Sequence, residues 1–270
     1  MKKVRRYLIS FIFSFSLSII ITFSAFANSP KISIITSVYK GEQFIEGFMK
    51  DIVRQTVFDQ CELIIINANS PENEESIVKK YQKKYPNIVY VCLEGDPGLY
   101  AVWNLAIEMA QGEYITNANV DDRLAFNCYE MHLVALEENK DVDLVYSGFL
   151  VTYKPNELFE KNSATHVNIG KPFSPEIMEH CQIGPNPMWR KSMHEKCGLF
   201  DEFYKHSGDW EMWCRAVAFG SRFLRATGYF CLYFLNPEGL STDKKRDQVI
   251  KQEDEYIRRK YGYLWGSSKI

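Results

Sequence analysis

The sequence has no Cys-x-x-Cys pair, no glycine-rich phosphate loop, no Gly-x-Ser-x-Gly turn and no His-Glu-x-x-His stretch. Structural zinc sites, P-loop nucleotide hydrolysis, α/β-hydrolase chemistry and zinc-peptidase chemistry are therefore not encoded. Internal repeats and low-complexity linkers are also missing, so nothing marks off a second domain. A dominant charge is lacking too. The formal net charge of the 270 residues is −2, which gives no electrostatic basis for binding nucleic acid. What the chain does have is an ordinary globular composition, 46% hydrophobic and 24% charged, at a length that buries one sizeable core. Its seven cysteines are scattered and odd in number. Cys61, Cys92, Cys214 and Cys231 lie in or beside apolar runs, as small buried hydrophobes do, with disulfides as the alternative.

The basic residues Lys2, Lys3, Arg5 and Arg6 precede an apolar and hydroxylated stretch, Tyr7 to Ala27, which ends Ala25-Phe26-Ala27. That ending suits signal peptidase, while about 20 apolar residues also suffice to span a bilayer. A cleaved signal, an uncleaved anchor and a buried helix are the three readings. An uncleaved anchor implies membrane association through residues 7–27 and a cleaved signal implies export, the basic end staying in the cytoplasm in both. Setting aside the four basic residues leaves a mildly acidic remainder of about −6. The expected division is residues 1–28 as targeting segment or anchor, 29–240 as the working domain and 241–270 as a charged, helical tail.

From Lys31 onward strand and helix patterns alternate. Ile32 to Val38, Glu62 to Asn67, Ile88 to Leu93, Glu113 to Asn117 and Leu144 to Val151 are short β-branched runs that predict buried strands. Between them, Phe44, Ile45, Phe48, Met49 and Ile52 recur at helical spacing, as do Leu99, Val102, Trp103, Ala106 and Ile107. The fold class is α/β, with a mostly parallel central sheet covered by helices on both faces. Ligands in such sheets sit at the carboxyl ends of the strands. Thr36-Ser37-Val38-Tyr39, Asn67-Ala68-Asn69-Ser70 and Asn119-Val120-Asp121-Asp122 should therefore surround one crevice. Beyond Tyr153, prolines at 155, 172, 175, 185 and 187 predict irregular structure over the sheet.

Two acidic pairs are candidates for chemistry. Asp121 and Asp122 follow a strand and a polar turn, where carboxylates reach a hard cation such as Mg²⁺ or Mn²⁺; a turn or capping role is the plainer reading. Asp209 and Glu211 open a helix beside Trp210 and Trp213, where a desolvated carboxylate becomes a general base, and a simple N-cap explains the same residues.

The order of these pieces resembles the family 2 glycosyltransferases over roughly residues 31–235. KISIITSVYKGEQFIEGFMKDIVRQT is similar to their first strand and helix, with the Thr36-x-x-Tyr39 region beneath the nucleotide. ELIIINANSPENEE resembles their second-strand loop, with Asn67, Ala68 and Asn69 in place of the usual Asp-Asp-Gly. DPGLYAVWNLAIEMAQGEYITNANVDDRL carries the most specific likeness. Asp96, Gly98, Tyr100 and Asn104 match the family's helix start, and Asn119-Val120-Asp121 falls on its Asp-x-Asp. FDEFYKHSGDWEMWCRA resembles the base-bearing segment, with Asp209 as base, Glu211 as fallback and Gly208 replacing a frequent Glu. IGPNPMWRKS resembles the acceptor-facing segment.

What the resemblance implies is a GT-A fold and an inverting transfer from a nucleotide-diphosphate sugar to a hydroxyl on a glycan, lipid-linked or other acceptor. Thr36, Val38, Tyr39, Asn67, Asn69, Asp96, Gly98, Tyr100, Asn104 and Asn119 would bind the donor. Met188, Trp189 and Trp210 would face the acceptor, and Asp121 with Asp122 would hold the divalent metal. Asn69 and Asn119 depart from the acidic pattern, and a catalytically silent nucleotide- or sugar-binding protein is the alternative. A nucleotidyltransferase would need a glycine-rich basic loop that Tyr39-Lys40-Gly41-Glu42 does not supply.

Overall fold

The computed structural model describes residues 29–240 and 242–266. The basic and apolar segment before Asn28 lies outside them. Among the described residues no helix is long and apolar enough to cross a membrane.

The N-terminal half alternates strand and helix as the periodicity predicts: β1 (Ile32–Val38), α1 (Glu42–Val53), β2 (Cys61–Asn67), α2 (Glu74–Gln82), β3 (Ile88–Cys92), α3 (Leu99–Met109) and β4 (Tyr114–Asn117). Strands β1, β2, β3 and β4 are all parallel, β1 pairing with both β2 and β4. Alternation along each strand sends its side chains to two cores. Leu63 and Ile65 of β2 join Ile45, Phe48 and Met49 of α1 on one face. Ile64 and Ile66 join Val102, Trp103 and Ala106 of α3 on the other. Because both faces are covered, the strands read as unbroken apolar runs.

The second half is mixed. It comprises β5 (Arg123–Leu124), α4 (Cys128–Glu138), β6 (Leu144–Thr152), β7 (His166–Asn168), β8 (Met188–Arg190), α5 (Met193–Cys197), α6 (Gly208–Ala218), β9 (Phe223–Phe234) and α7 (Asp247–Tyr261). The main path across the sheet is β3-β2-β1-β4-β8-β6-β9-β5, with β7 on the flank of β6. Strand β8 is antiparallel to both β4 and β6, which joins the parallel half to the pair β6 and β9. The 12-residue β9 has only a patchy apolar pattern, and its register against β6 shifts around Gly148. The cysteines are free thiols, so the disulfide alternative does not apply; Cys61, Cys214 and Cys231 are buried hydrophobes as expected, whereas Cys92, at the end of the edge strand β3, is exposed.

Helix α7 has no core of its own; it buries Ile257 and Tyr261 in the α3–α6 core. The tie is also polar. Glu211, fully buried on α6, accepts from Tyr261 Oη at 2.6 Å, Lys260 Nζ at 3.0 Å and Arg215 Nη2 at 2.9 Å. Burial pushes the Glu211 carboxyl up, but Arg215, Tyr261 and Lys260 outweigh it and hold it below the usual range. That lowered value makes the contribution to stability present above the ordinary glutamate pKa and lost as the pH falls through the folded-state value. Truncating one partner of a buried ion network strands the others. Glu211→Ala is accordingly expected to cost about 3–5 kcal/mol in thermal unfolding. Retention of the wild-type melting temperature would show that α7 is not held this way.

Candidate active site

The carboxyl ends of β1, β2 and β4 open into a crevice of about 880 Å³, a volume in the range of ligand sites. Three walls come from the expected places. Tyr39 follows β1; Asp96, Gly98 and Tyr100 surround the start of α3; Asn119 and Asp121 follow β4. A fourth comes from the loop before α6, with His206 and Asp209. The roof, formed after β9 by residues 236–240 and by Thr242, Asp243, Lys245 and Arg246, is new: no ligand site is expected there from the sequence, which assigns 241–270 to a tail.

Asp209 is half-buried near the start of α6. Burial raises its carboxyl to about 6, against the opposing pull of hydrogen bonds from the Trp210 amide, its own amide and the Tyr100 hydroxyl. The distances to Oδ1 are 2.8 Å from Trp210 N and 3.4 Å from Tyr100 Oη. A carboxylate of that kind is ionised near neutral pH and still basic enough to accept a proton.

Helix α3 builds the loop that carries Asp209. Tyr100 Oη donates to the carbonyl of His206 at 2.7 Å and accepts from the amide of Gly208 at 2.8 Å. Asn104, one turn on and on the same helix face, exchanges two hydrogen bonds with the backbone of Phe200 at 2.9 Å each. The Tyr-x-x-x-Asn spacing thus clamps residues 200–208. Gly208 is required there, because a Cβ would stand 2.6–2.8 Å from the Tyr100 ring. Gly98 precedes the helix at φ +96°, a conformation that favours glycine. Asp96, exposed at the rim, closes this turn by accepting from Gly98 N at 2.8 Å.

Asp121 is half-buried, faces the crevice and accepts from Asn236 Nδ2 of the roof at 3.0 Å. Asp122 is turned inward and does not line the crevice. Its two oxygens accept from Phe234 N and from Asn119 Nδ2, each at 3.0 Å. Burial, followed by the charge of Asp121, holds its carboxyl well above the usual range. Asp122 is thus a brace between the β4 loop and β9, correcting its assignment as a metal ligand. Because the Asn119 amide nitrogen is committed to Asp122, its oxygen is the atom left for a ligand. Among the described residues no group of three or more His, Cys, Asp or Glu comes together as a self-sufficient metal site. One crevice-facing carboxylate with a neighbouring amide oxygen fits Mg²⁺ or Mn²⁺ whose remaining ligands are phosphates and water.

Several expected contacts are not made. Met188 and Trp189 are fully buried in β8, and the Trp189 ring packs 5.2 Å from that of Trp213. Trp210 is buried, donates to the carbonyl of Met178 at 2.8 Å and carries Arg258 on its ring. Besides Tyr39 and Tyr100, the aromatics that line the crevice are Phe44, Trp103, Trp213, Tyr233 and Phe234. Glu211 points into the network with α7 and is no alternative base. Thr36 and Val38 are fully buried, and Asn104 holds the loop that leads to Asp209. Asn67 Oδ1 accepts from Ser70 N at 2.7 Å, which shapes the turn and leaves Ala68 at the crevice. Asn69 sits at φ +59°, a position that suits Gly or Asn, so the departure from glycine there is conformational.

Residues 33–198 match the family model described as Glycosyl transferase family 2. An uncharacterised glycosyltransferase of Methanocaldococcus jannaschii is 27% identical over 195 residues, 71% of this chain and 66% of that protein. The poly(ribitol-phosphate) beta-glucosyltransferase of Bacillus spizizenii is 31% identical over 160 residues, 48% of this chain and 25% of its own length. Thus the match takes in under two thirds of either relative. A solved structure of S. aureus TarS residues 1–349 with UDP-GlcNAc superposes at a TM-score of 0.67, with 16% identity, over 87% of this chain and 72% of that one. That likeness bears on the fold and identifies it as GT-A.

Proposed function

The chain belongs to glycosyl transferase family 2, and on that premise we propose that its crevice moves a sugar from a nucleoside diphosphate to an acceptor hydroxyl with inversion at the anomeric carbon. The observation that carries this reading is that Asp121 and a raised-pKa Asp209 reach one crevice from different elements, the β4 loop and α6. Asp209 takes the acceptor proton as the acceptor oxygen bonds to the anomeric carbon. The bond from that carbon to the diphosphate breaks in the same displacement, and the nucleoside diphosphate leaves with its electron pair. A divalent cation held by Asp121, with the Asn119 oxygen beside it, would supply charge neutralisation for the leaving diphosphate. Lys40, Lys205, Lys245 and Arg246 line the same crevice, interspersed with Asp96, Glu238 and Asp243, and are the groups there that can pair with the phosphates of an anionic donor.

The TarS structure holds UDP-GlcNAc, so UDP-sugars are the first donors to test. The Bacillus relative acts on poly(ribitol-phosphate), which supports a polyol-phosphate or glycan hydroxyl as acceptor. The basic and apolar pattern of residues 2–27 supports a location at a membrane.

The test is release of free nucleotide from UDP-, GDP- and dTDP-sugars, with Mn²⁺ and then with EDTA, in the presence of poly(ribitol-phosphate) or glycan acceptors. Metal-dependent release from one donor, raised by one acceptor class, is the expected result. Nucleotide binding without turnover of any donor would replace this reading with that of a silent binding protein.

A further inference from the structure

We propose that Glu253, on the C-terminal helix α7, is a positioning residue that sets the pose of Asp209, so that α7 belongs to the catalytic apparatus. The inference rests on Asp209 as the base. Glu253 is only 7% exposed, yet it lies on a charged helix whose Asp247 and Glu255 are exposed. Its carboxylate accepts three successive backbone amides: Lys205 N at 2.7 Å on Oε1, and His206 N at 3.0 Å and Ser207 N at 2.8 Å on Oε2. The neighbouring Asp254 accepts from Ser207 Oγ at 2.7 Å.

These amides precede α6 immediately and have no partner within that helix. A buried carboxylate from another element both satisfies them and complements the positive helix end. The other side of the same loop is held by α3, through Tyr100 to the His206 carbonyl and the Gly208 amide. Residues 205–208 are thus gripped from both sides, and Asp209 is the next residue. His206 Nδ1 also lies 3.1 Å from the carbonyl of Leu240, which ties the loop to the roof of the crevice. A misplacement of about 1 Å at a reacting group costs on the order of 100-fold in rate, so loosening one side of this grip should be read in turnover.

Glu253→Gln keeps the size and removes the charge, and its amide NH₂ opposes one set of backbone donors. The groups that face Asp209 remain: Tyr100 from α3, Cys181 from the loop before β8, Cys214 from α6 and Asp254 from α7. A loosened loop gives Asp209 more water. The expected results are a 10- to 100-fold lower kcat, donor affinity within threefold of wild type, and an acid limb of the kcat profile displaced to lower pH. Amides 205–207 should exchange with deuterium at least tenfold faster, while those of β1 and β2 keep their protection. Glu253→Asp, which retains the carboxylate, should recover part of the kcat.

Wild-type kcat and an unmoved acid limb in Glu253→Gln would overturn the inference. So would equal losses of kcat, donor affinity and protection throughout the fold, since Glu253 would then merely support the structure. Either result, with Asp209→Asn inactive, leaves the proposed function standing. An active Asp209→Asn would remove that function whatever Glu253→Gln does.

Discussion

Asp209→Asn is expected to lower turnover by about 10²- to 10⁴-fold, the usual contribution of a positioned general base, and to raise thermal stability at neutral pH. Both effects follow from one feature. Burial lifts the Asp209 carboxyl from its ordinary 3.8 to about 6. A folded-state value above the unfolded one means that folding opposes the ionised form. The penalty is absent below the unfolded pKa, grows as the pH rises toward 6 and is constant above it. After allowance for the partial exposure of the group to water, it is about 2 kcal/mol at pH 7. Asparagine removes the charge but keeps an oxygen for the Trp210 amide and the Tyr100 hydroxyl, so the helix start survives. In the wild type, turnover should climb as the pH rises through about 6 and level off above it, because only the carboxylate accepts the acceptor proton. A variant with turnover within threefold of wild type would remove Asp209 as base. A lower melting temperature would show that its charge is stabilising. The contrast with Glu211, two residues on, is instructive. Glu211 is also buried, but its three cationic or hydroxyl donors hold its carboxyl low, and its truncation is expected to cost stability.

The difference between these two neighbours was not legible in the sequence, where both are acids at a helix start beside tryptophans. What separates them is the arrival of Lys260 and Tyr261 from α7, some fifty residues away. The parallel half of the sheet was legible because β1, β2 and β4 are covered on both faces and so read as apolar runs. The half after Tyr153 was not. Strand β8 is three residues long, and β9 is irregular where its register against β6 shifts. Without β8, Met188 and Trp189 read as exposed platforms for a sugar; paired between β4 and β6 they are core. The roof was missed because Asn236, Pro237, Glu238 and Gly239 have the composition of a turn, and nothing local says that the turn overhangs a crevice. Of the Asp-x-Gly-x-Tyr-x-x-x-Asn stretch, position was legible and role was not. Asp96, Gly98 and Tyr100 line the crevice, but Tyr100 and Asn104 work chiefly by holding the base loop.

Asp121→Ala should be as damaging to turnover as a lost electrostatic stabiliser of a leaving group, about 10²- to 10³-fold. The more telling readout is binding. Wild-type affinity for a nucleoside diphosphate, measured by calorimetry, should tighten at least tenfold on addition of Mn²⁺, and Asp121→Ala should lose that tightening while keeping its metal-free affinity. The argument turns on the division of labour between adjacent acids. Asp121 faces the crevice, and among the described residues its carboxylate accepts from the amide of Asn236, which a ligand can displace at small cost. Asp122 is buried, and both of its oxygens are committed to Phe234 N and Asn119 Nδ2. Freeing it would break two buried hydrogen bonds and leave an amide and a backbone N–H unpaired, a cost of about 1–3 kcal/mol for each. The usual first acid of the pair is here Asn119, whose nitrogen Asp122 occupies, so that a neutral oxygen stands where a second charge would otherwise face Asp121. The β4 loop therefore brings one negative charge to a cation and relies on the diphosphate for the rest, which predicts weak binding of Mn²⁺ alone and tight binding only with nucleotide present. Tightening by Mn²⁺ that survives Asp121→Ala would move the metal away from the β4 loop altogether.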